Sequence, residues 1–291
     1  MKILISDAFD PSLPERLKVF GEVTDDTSQV AEADVVLIRS KTKCTKEYID
    51  GAPNLKLIIR GGVGLDNVDL DYAKEKGIVV KNTPAASSVA VAELAFALMI
   101  AVPNHIVKAH NTMAAGEWAK KSLKRTELMG KTLGLIGVGR IGSVLADRAT
   151  AFGMKVIGYD KYVKSSGIVE LESLDDVLAK SDYISLHAPL TPETENIIDA
   201  DTIAKMKDGV VVINTGRGKC VNAEAMKAAL ESGKVATYAT DVWPSDPPPA
   251  DYPLLNAPNM LMAPHIGASS KENLLRIGDI VVEIITEFVN N

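Results

Sequence analysis

The run TLGLIGVGRIGSVLADRATAFGMKVIGYD, residues 132–160, is the feature that most constrains how this chain can fold. An apolar segment ends in Gly137, and Gly139 and Gly142 follow at the spacing G-x-G-x-x-G before a helical pattern begins. A second apolar segment then ends in Asp160. Together these features predict a strand, a tight glycine turn, a helix and a second, parallel strand.

Each glycine has a predicted physical role in this turn. Gly137 permits the tight turn, Gly139 lets the backbone approach a pyrophosphate, and Gly142 lets the helix pack on the strand. The backbone amides at the start of the helix, where Arg140 and Ile141 lie, then hold phosphate oxygens. The segment therefore predicts a dinucleotide site.

Asp160 determines which dinucleotide the sequence favours. Its carboxylate would accept hydrogen bonds from the adenosine ribose hydroxyls and repel a 2′-phosphate, which favours NAD over NADP. Lys161 follows it directly and could weaken that preference. The alternative is a structural glycine turn beside a surface aspartate, and the strand–helix–strand context makes that the weaker interpretation.

Short apolar runs alternate with helical patterns along the whole chain of 291 residues. The strand candidates are residues 2–6, 34–39, 55–60 and 77–82, and then 132–137, 154–160, 182–189, 209–216, 234–241 and 259–265. Strands that alternate with helices predict parallel sheets covered on both faces. We therefore expect an α/β protein with two doubly wound parallel-sheet domains.

Capping residues mark several expected helix ends. Ser173 precedes one helical pattern, and Asn222 and Gly233 bracket another. A further helix is expected to begin near Asn67 and to end at Gly77.

Composition and charge exclude several classes of protein. The net charge of −6 provides no basic stripe for nucleic acid. The apolar run Val89–Val102 is too short to span a bilayer and predicts a buried helix. Two cysteines, Cys44 and Cys220, form neither a disulfide framework nor a metal-type pair, so we expect a cytoplasmic protein without a metal. The N-terminus predicts an immediate strand rather than a signal peptide.

Three side chains are candidates for the chemistry, because groups that act beside a dinucleotide lie beyond the carboxyl ends of strands. Arg217, between two glycines, presents a guanidinium that suits a carboxylate. His265 can donate or accept a proton. In the stretch DVWPSDPPP, Asp241 and Asp246 compete as the acid that orients the imidazole. Taken singly, Arg217 and His265 would be read as a surface arginine and a structural histidine; their positions favour function.

These motifs resemble those of the D-isomer-specific 2-hydroxyacid dehydrogenases, and the resemblance covers essentially the whole chain. It is carried by GGVGLDNVD (61–69), NTPAASSVAVAEL (82–94), ELMGKTLGLIGVGRIG (127–142), NTGRGKCVN (214–222), DVWPSDPP (241–248) and APHIGASSKE (263–272). Within the family the chain is most similar to the D-3-phosphoglycerate dehydrogenases. The resemblance implies a Rossmann NAD-binding domain, residues 91–267, inserted in a discontinuous, flavodoxin-like substrate-binding domain, residues 1–90 and 268–291.

The resemblance also implies a catalytic arginine, acid and histidine, which match Arg217, Asp246 and His265. The family acid is a glutamate, so Asp246 is one methylene shorter and would need a shifted loop or a bridging water to reach His265. Asp241 matches an aspartate that contacts the nicotinamide carboxamide.

Other site residues follow from the same resemblance. Basic residues around a substrate phosphate match Arg39, Arg60 and Lys120, although Lys120 replaces an arginine and loses its bidentate fork. For each of these cations the alternative is a solvated surface charge. The substrate would also contact Gly61, Gly62, Arg217 and His265. The expected cofactor contacts are Val63, Gly137, Gly139, Arg140, Ile141, Gly142, Asp160, His187, Ala188, Pro189, Thr215, Gly216, Asp241, His265, Gly267 and Ala268.

The expected activity is oxidation of D-3-phosphoglycerate to 3-phosphohydroxypyruvate with NAD, the first step of phosphorylated serine biosynthesis. The resemblance implies a homodimer paired through the cofactor domain, with no nucleic-acid or membrane partner. The chain ends after its last helix, so feedback by serine is not expected. Two alternatives stay open: a dehydrogenase of glyoxylate, hydroxypyruvate or D-lactate type, and an NAD-sensing, co-repressor-like binding protein.

Overall fold

The computed structural model describes residues 1–290. The chain divides into two compact units: Met1–Ala90 together with the residues from Ala268 on, and Val91–Gly267. Each unit is built around one parallel β-sheet, so the predicted α/β class with two parallel-sheet domains is confirmed.

Strands and helices alternate through both units. The strands of residues 1–290 are β1 (Lys2–Ile5), β2 (Glu22–Thr24), β3 (Val35–Ile38), β4 (Leu57–Arg60), β5 (Val79–Asn82), β6 (Thr132–Ile136), β7 (Lys155–Tyr159), β8 (Glu170–Leu171), β9 (Tyr183–Leu186), β10 (Val210–Asn214), β11 (Val235–Thr240) and β12 (Met260–Met262). The α-helices are α1 (Leu13–Leu17), α2 (Lys46–Asp50), α3 (Leu70–Glu75), α4 (Ser88–Ala101), α5 (Ile106–Ala114), α6 (Arg140–Ala151), α7 (Leu174–Lys180), α8 (Ala200–Lys205), α9 (Ala223–Ser232) and α10 (Lys271–Asn290).

The sheet of the first unit has the strand order β2-β1-β3-β4-β5, and all its pairs are parallel. Successive residues of β3 pack on opposite faces: Val35 and Leu37 join one core cluster, and Val36 and Ile38 join the other. The sequence prediction missed β2, because this strand has only three residues and none of them is buried. Without an apolar run, a short edge strand leaves no signal in the sequence.

The last helix, α10, covers one face of this first sheet. Ile277, Val281 and Ile285 recur every four residues on the helix and are completely buried in the same core cluster as Ile3 and Leu57. Burial of each of these side chains contributes roughly 1.5–3 kcal/mol. The end of the chain is therefore part of the core of the first unit.

The sheet of the second unit has the strand order β12-β11-β10-β9-β6-β7-β8, again entirely parallel. The connections run to opposite sides of β6, so the carboxyl ends of β6 and β9 flank the point where strand order reverses. Ligands of such sheets bind at this point. The expected six strands become seven because β8, of two residues, was missed.

Helix α4 is buried along most of its surface, as the apolar run predicts. Only Val89, Glu93 and Ala97, spaced four residues apart, form an exposed line, and Glu93 pairs with Arg148 at 2.8 Å. Within residues 1–290 no single helix is long and apolar enough to cross a membrane; α4 and α5, bent by 63° from each other, reach that length only as a pair.

The predicted caps and helix bounds agree with the structure in three cases. The Ser173 and Asn222 side chains cap α7 and α9, and Gly233 ends α9 in the left-handed conformation. Helix α3, expected from near Asn67 to Gly77, spans Leu70–Glu75, with Asp69 as its N-cap. The Asn67 amide donates to backbone carbonyls of the loop after β3 and so stabilises that loop.

Candidate active site

The glycine turn after β6 has the geometry of a phosphate-binding loop. Gly137 has φ +98°, a conformation that side chains disfavour. A Cβ on Gly142 would lie 2.4 Å from the carbonyl oxygen of Gly137, so helix and turn approach closely there. A Cβ on Gly139 would meet no atom within 4 Å. The turn therefore leaves open space at Gly139 and is tightly packed on either side of it.

Helix α6 begins directly at this open space. Its N-cap is Gly139, which has no side chain to satisfy the first amides, and the first backbone bond of the helix runs from Ser143 N to Gly139 O. The backbone amides of the first turn, which includes Arg140 and Ile141, are thus available to phosphate oxygens.

Asp160 anchors the neighbouring strand end to the loop. One carboxylate oxygen accepts from Val138 N at 2.8 Å, and the other accepts from Tyr162 N and Val163 N at 2.8 and 3.0 Å. Burial acts to raise the pKa of Asp160, but these three amides outweigh it and lower the pKa. The carboxylate is therefore ionised and held in one orientation beside the loop.

A cavity of about 160 Å³ opens at the carboxyl ends of β6, β7 and β9. Its lining residues are Ile136, Gly137, Gly139, Tyr159, Asp160, Lys161, Tyr162, His187, Ala188, Pro189, Thr191, Glu193, Thr194 and Ile197. Six of the residues expected to bind a cofactor are thus brought together: Gly137, Gly139, Asp160, His187, Ala188 and Pro189. Within residues 1–290 no group of His, Cys, Asp or Glu side chains is arranged as metal ligands would be.

His187 follows β9 and is neutral at ordinary pH. Burial lowers its pKa to about 4. Its Nε2 lies 2.9 Å from Ser185 Oγ and its Nδ1 lies 3.5 Å from Thr215 Oγ1. The imidazole therefore acts as a fixed hydrogen-bonding group of the cavity wall and not as a proton carrier.

Asn214, at the end of β10, shapes the turn that carries Arg217. The Asn214 side chain is completely buried, accepts from Gly216 N at 3.0 Å and donates to Arg217 O at 2.9 Å and to Tyr238 Oη at 3.0 Å. It therefore fixes the Thr215–Arg217 turn. Asn214 is not among the residues predicted from the sequence, although a polar residue directly after four apolar ones was a usable signal.

The stretch DVWPSDPPP follows β11, and its side chains bind the backbone of the loop after β12. The buried Asp241 carboxylate accepts from Ile266 N at 2.8 Å and from Gly267 N at 2.7 Å. Trp243 Nε1 donates to Ala263 O at 3.0 Å. Burial, despite these two amides, raises the pKa of Asp241. Asp241 thus holds the backbone after His265 in place; its expected contact with a nicotinamide stays a prediction.

Asp246, from the same stretch, contacts His265 directly. His265 Nδ1 and Asp246 Oδ2 are 2.5 Å apart, and each side chain is 27 % exposed. His265 has φ +55°, a left-handed conformation that is uncommon for histidine. A bridging water, one of the two routes expected for this shorter acid, is not needed. Arg217, Asp246 and His265 all follow strands of the adjacent group β10-β11-β12, at one edge of the sheet.

In the first unit, Arg60 ends β4 and is 8 % exposed. Its guanidinium lies against Gly62, where an added Cβ would be 1.6 Å from Arg60 Nη1. An added Cβ on Gly61 would meet the Phe9 ring at 2.6 Å. The Gly61–Gly62–Val63 turn therefore needs both glycines, and Arg60 is a buried cation instead of a solvated one.

Arg39 follows β3, the strand next to β4. Its guanidinium donates to Ala268 O at 2.8 Å and to Ala8 O at 3.4 Å, and burial lowers its pKa. Asp7, which is not among the residues predicted from the sequence, accepts from Arg39 N at 2.5 Å and from Thr42 Oγ1 at 2.8 Å. Asp7 thus orders the loop that presents Arg39.

The remaining expected contacts lie in different parts of the chain. Val63 is 40 % exposed in the first unit, where its carbonyl accepts from Asn82 Nδ2 at 2.6 Å. Ala268 belongs to the same unit, and its carbonyl accepts from Arg39 and Asn273. Lys120 is exposed in the second unit.

Comparison with known proteins gives a consistent assignment. Residues 96–267 match the family model of the D-isomer specific 2-hydroxyacid dehydrogenase, NAD binding domain. A hydroxypyruvate reductase of Thermotoga maritima is 49 % identical over 259 residues, which cover 88 % of this chain and 85 % of that protein. A D-3-phosphoglycerate dehydrogenase of Methanocaldococcus jannaschii is 42 % identical over 298 residues, 98 % of this chain but 57 % of that longer protein.

A solved structure supports the same assignment. The D-lactate dehydrogenase of Aquifex aeolicus, complexed with NAD and lactic acid, superimposes with a TM-score of 0.88 at 32 % identity, over 100 % of this chain and 96 % of that one. The chain belongs to the D-isomer-specific 2-hydroxyacid dehydrogenases, and its cofactor is NAD. The uncapped start of α6, the open space at Gly139 and the ionised Asp160 fit that dinucleotide.

Substitution by alanine is expected to have different effects at Gly139 and at Gly142. Gly139→Ala should leave the free energy of unfolding within about 0.5 kcal/mol of wild type, because nothing surrounds the new methyl group. It should weaken NADH binding by about tenfold or more, because the methyl occupies the space of the pyrophosphate.

Gly142→Ala should instead destabilise the apoprotein. The gain of about 1 kcal/mol in helix propensity is outweighed by about 1–3 kcal/mol of overpacking against the Gly137 carbonyl. Urea denaturation and NADH fluorescence titration of both variants measure the two effects. A destabilised Gly139→Ala protein, or an unaffected Gly142→Ala protein, would contradict this account of the loop.

Proposed function

We propose that this protein oxidises the hydroxyl-bearing carbon of D-3-phosphoglycerate, with NAD as cofactor. The observation that carries the chemistry is the direct hydrogen bond between His265 Nδ1 and Asp246 Oδ2 at the carboxyl edge of β11 and β12. An imidazole held by a carboxylate at the cofactor edge of a Rossmann sheet is suited to proton transfer.

His265 is proposed to handle the proton of the substrate hydroxyl. Asp246 accepts at Nδ1, so Nδ1 carries the ring proton and Nε2 is the nitrogen that can accept another. When Nε2 takes the hydroxyl proton, the adjacent Asp246 carboxylate stabilises the resulting imidazolium. NAD, when bound, supplies the ring that accepts the hydride.

Arg217 is proposed to bind the substrate carboxylate and to polarise the carbonyl oxygen that forms. The Asn214 side chain holds the Arg217 carbonyl, and Arg217 Nη1 donates to Gly216 O at 2.8 Å. A guanidinium anchored in this way gains charge-assisted hydrogen bonds as negative charge develops on the substrate oxygen.

The pair of Asp246 and His265 predicts a specific pattern of lost activity. His265→Asn should lower kcat by about 10²–10⁴-fold, the usual contribution of a positioned acid–base group. Asp246→Asn should lower it less, because the imidazole remains but loses its orienting charge. NADH affinity, measured by fluorescence titration, should change by no more than about twofold in either variant.

Asp246→Glu tests whether the aspartate, one methylene shorter than the family glutamate, limits catalysis. Since Asp246 already reaches His265, a longer acid should not raise kcat. An Asp246→Asn enzyme with wild-type kcat, or a His265→Asn enzyme with undiminished turnover, would remove the proposed proton relay.

Phosphoglycerate is proposed as the substrate because of the cations of the first unit and because of the relatives. Arg39 and Arg60 both lie at the carboxyl ends of adjacent strands, and the relative from Methanocaldococcus jannaschii is named for phosphoglycerate. Hydroxypyruvate is the second candidate, since the relative that is 49 % identical is named a hydroxypyruvate reductase. Hydroxypyruvate and 3-phosphohydroxypyruvate, the keto product of phosphoglycerate oxidation, differ by one phosphate group.

Assays with NADH and either 3-phosphohydroxypyruvate or hydroxypyruvate separate these candidates. For the phosphorylated substrate we expect the higher kcat/KM. Arg60→Lys should raise the KM for 3-phosphohydroxypyruvate by about tenfold, because lysine loses the bidentate fork, and should change the KM for hydroxypyruvate by less than about twofold.

Lys120→Ala also tests binding of the substrate phosphate, with a smaller expected effect, and Lys121→Ala is its matched control. Both lysines are exposed and adjacent, and only Lys120 matches the family arginine. We expect Lys120→Ala alone to raise the KM for the phosphorylated substrate, by about threefold to tenfold. A higher kcat/KM for hydroxypyruvate, together with equal effects of Arg60→Lys on both substrates, would instead favour the hydroxypyruvate reductase.

We further propose that two copies pair through the second unit. Large apolar side chains are exposed there, with Trp118 77 % exposed, Met113 56 % and Ile106 55 %. The three residues lie within residues 106–118, and exposed apolar residues that form one patch are typical of surfaces covered in an assembly. Sedimentation equilibrium should give the mass of two chains, and Trp118→Glu should shift it toward one. A wild-type protein with the mass of one chain would contradict the pairing.

A further inference from the structure

A second carboxylate faces the adenosine end of the cofactor cavity. Glu193 lies on the segment after β9, lines the same cavity as Asp160, and pairs with the ammonium group of Lys161. Among the cavity-lining residues, all of them within the described part of the chain, Lys161 is the only lysine or arginine.

The carboxylates of Asp160 and Glu193 have different partners. Asp160 accepts from three backbone amides of its own loop region, and no ammonium group is among those partners. Glu193 instead receives the hydrogen bond from Lys161, and that bond raises the pKa of the lysine. The ammonium of Lys161 also lies 5.7 Å from the centre of the Tyr162 ring.

The charge of the cavity rim formed by Asp160, Lys161 and Glu193 determines whether NAD or NADP binds better. A 2′-phosphate carries close to two negative charges and would need a cation beside Asp160. Lys161 is adjacent to Asp160 in the chain, but Glu193 neutralises it. Lys164 contributes to the potential at Asp160 and donates its own hydrogen bond to Lys161 O at 2.9 Å.

We propose that Glu193 is a cofactor-specificity residue, which excludes a 2′-phosphate by holding Lys161 away from it. With Glu193 present, the residues that line the cavity here include two carboxylates and one paired ammonium; Lys164 does not line it. Without Glu193, the Lys161 ammonium is available to a 2′-phosphate on the adenosine ribose. The exclusion of NADP thus depends on a residue 33 positions after Asp160 as well as on Asp160 itself.

Two nucleotides that differ only in the 2′-phosphate test this role without any catalytic turnover. Isothermal titration calorimetry at low ionic strength compares 5′-AMP with adenosine 2′,5′-bisphosphate on wild type and Glu193→Gln. We expect Glu193→Gln to strengthen binding of the bisphosphate by about threefold to tenfold and to leave 5′-AMP binding within about twofold. Added salt should reduce the gain, since both groups are about half exposed.

The matched control is Glu195→Gln. It removes the same charge two residues further along the chain, and the Glu195 side chain does not line the cavity. It should change neither affinity. The double variant Lys161→Met with Glu193→Gln isolates the pair: the gain for the bisphosphate should disappear. An unchanged preference in Glu193→Gln, or a gain that persists without Lys161, would overturn the proposal. These outcomes do not depend on which hydroxy acid the enzyme oxidises.

Discussion

The second unit depends on one buried carboxylate. Asp241 sits at the end of β11 and accepts two backbone amides from the loop after β12, at 2.8 and 2.7 Å. Hydrogen bonds to a charged group contribute about 1.5–3 kcal/mol each, which offsets part of the cost of burying the charge, and the pKa of Asp241 is still raised. Because those amides follow His265 directly, the same two bonds hold the histidine backbone in its left-handed conformation. The structure of this loop and the proton transfer proposed for His265 therefore depend on the same carboxylate.

Loops in both units show the same arrangement, in which a polar side chain at a strand end fixes the backbone of a neighbouring loop. Asp160 does so for the glycine turn, Asn214 for the Arg217 turn, and Asp7 for the Arg39 loop. In each case a second residue, through a hydrogen bond to the backbone, fixes the loop that carries the group expected to contact a ligand. Sites built on this pattern are ordered before any ligand binds, which lowers the entropy lost on binding.

The sequence predicted most of the fold because the information is local. Apolar runs, glycine spacing and caps such as Ser173 report on neighbouring residues in the chain. It missed β2 and β8, which are too short to show an apolar pattern. It also missed two positioning residues whose partners are distant in sequence, although Asn214 follows four apolar residues directly. Asn214 and Asp7 act through contacts that only the folded chain creates.

The place of α10 in the first unit has a consequence for biosynthesis. The sheet of β1 to β5 needs Ile277, Val281 and Ile285 to close one face of its core. A ribosome delivers those side chains only after residues 91–267 have emerged. The second unit, which is continuous in sequence, can fold while the first still exposes an apolar sheet face. During synthesis the core of the first unit is therefore completed only after the whole second unit has been made, and one face of its sheet stays uncovered until then.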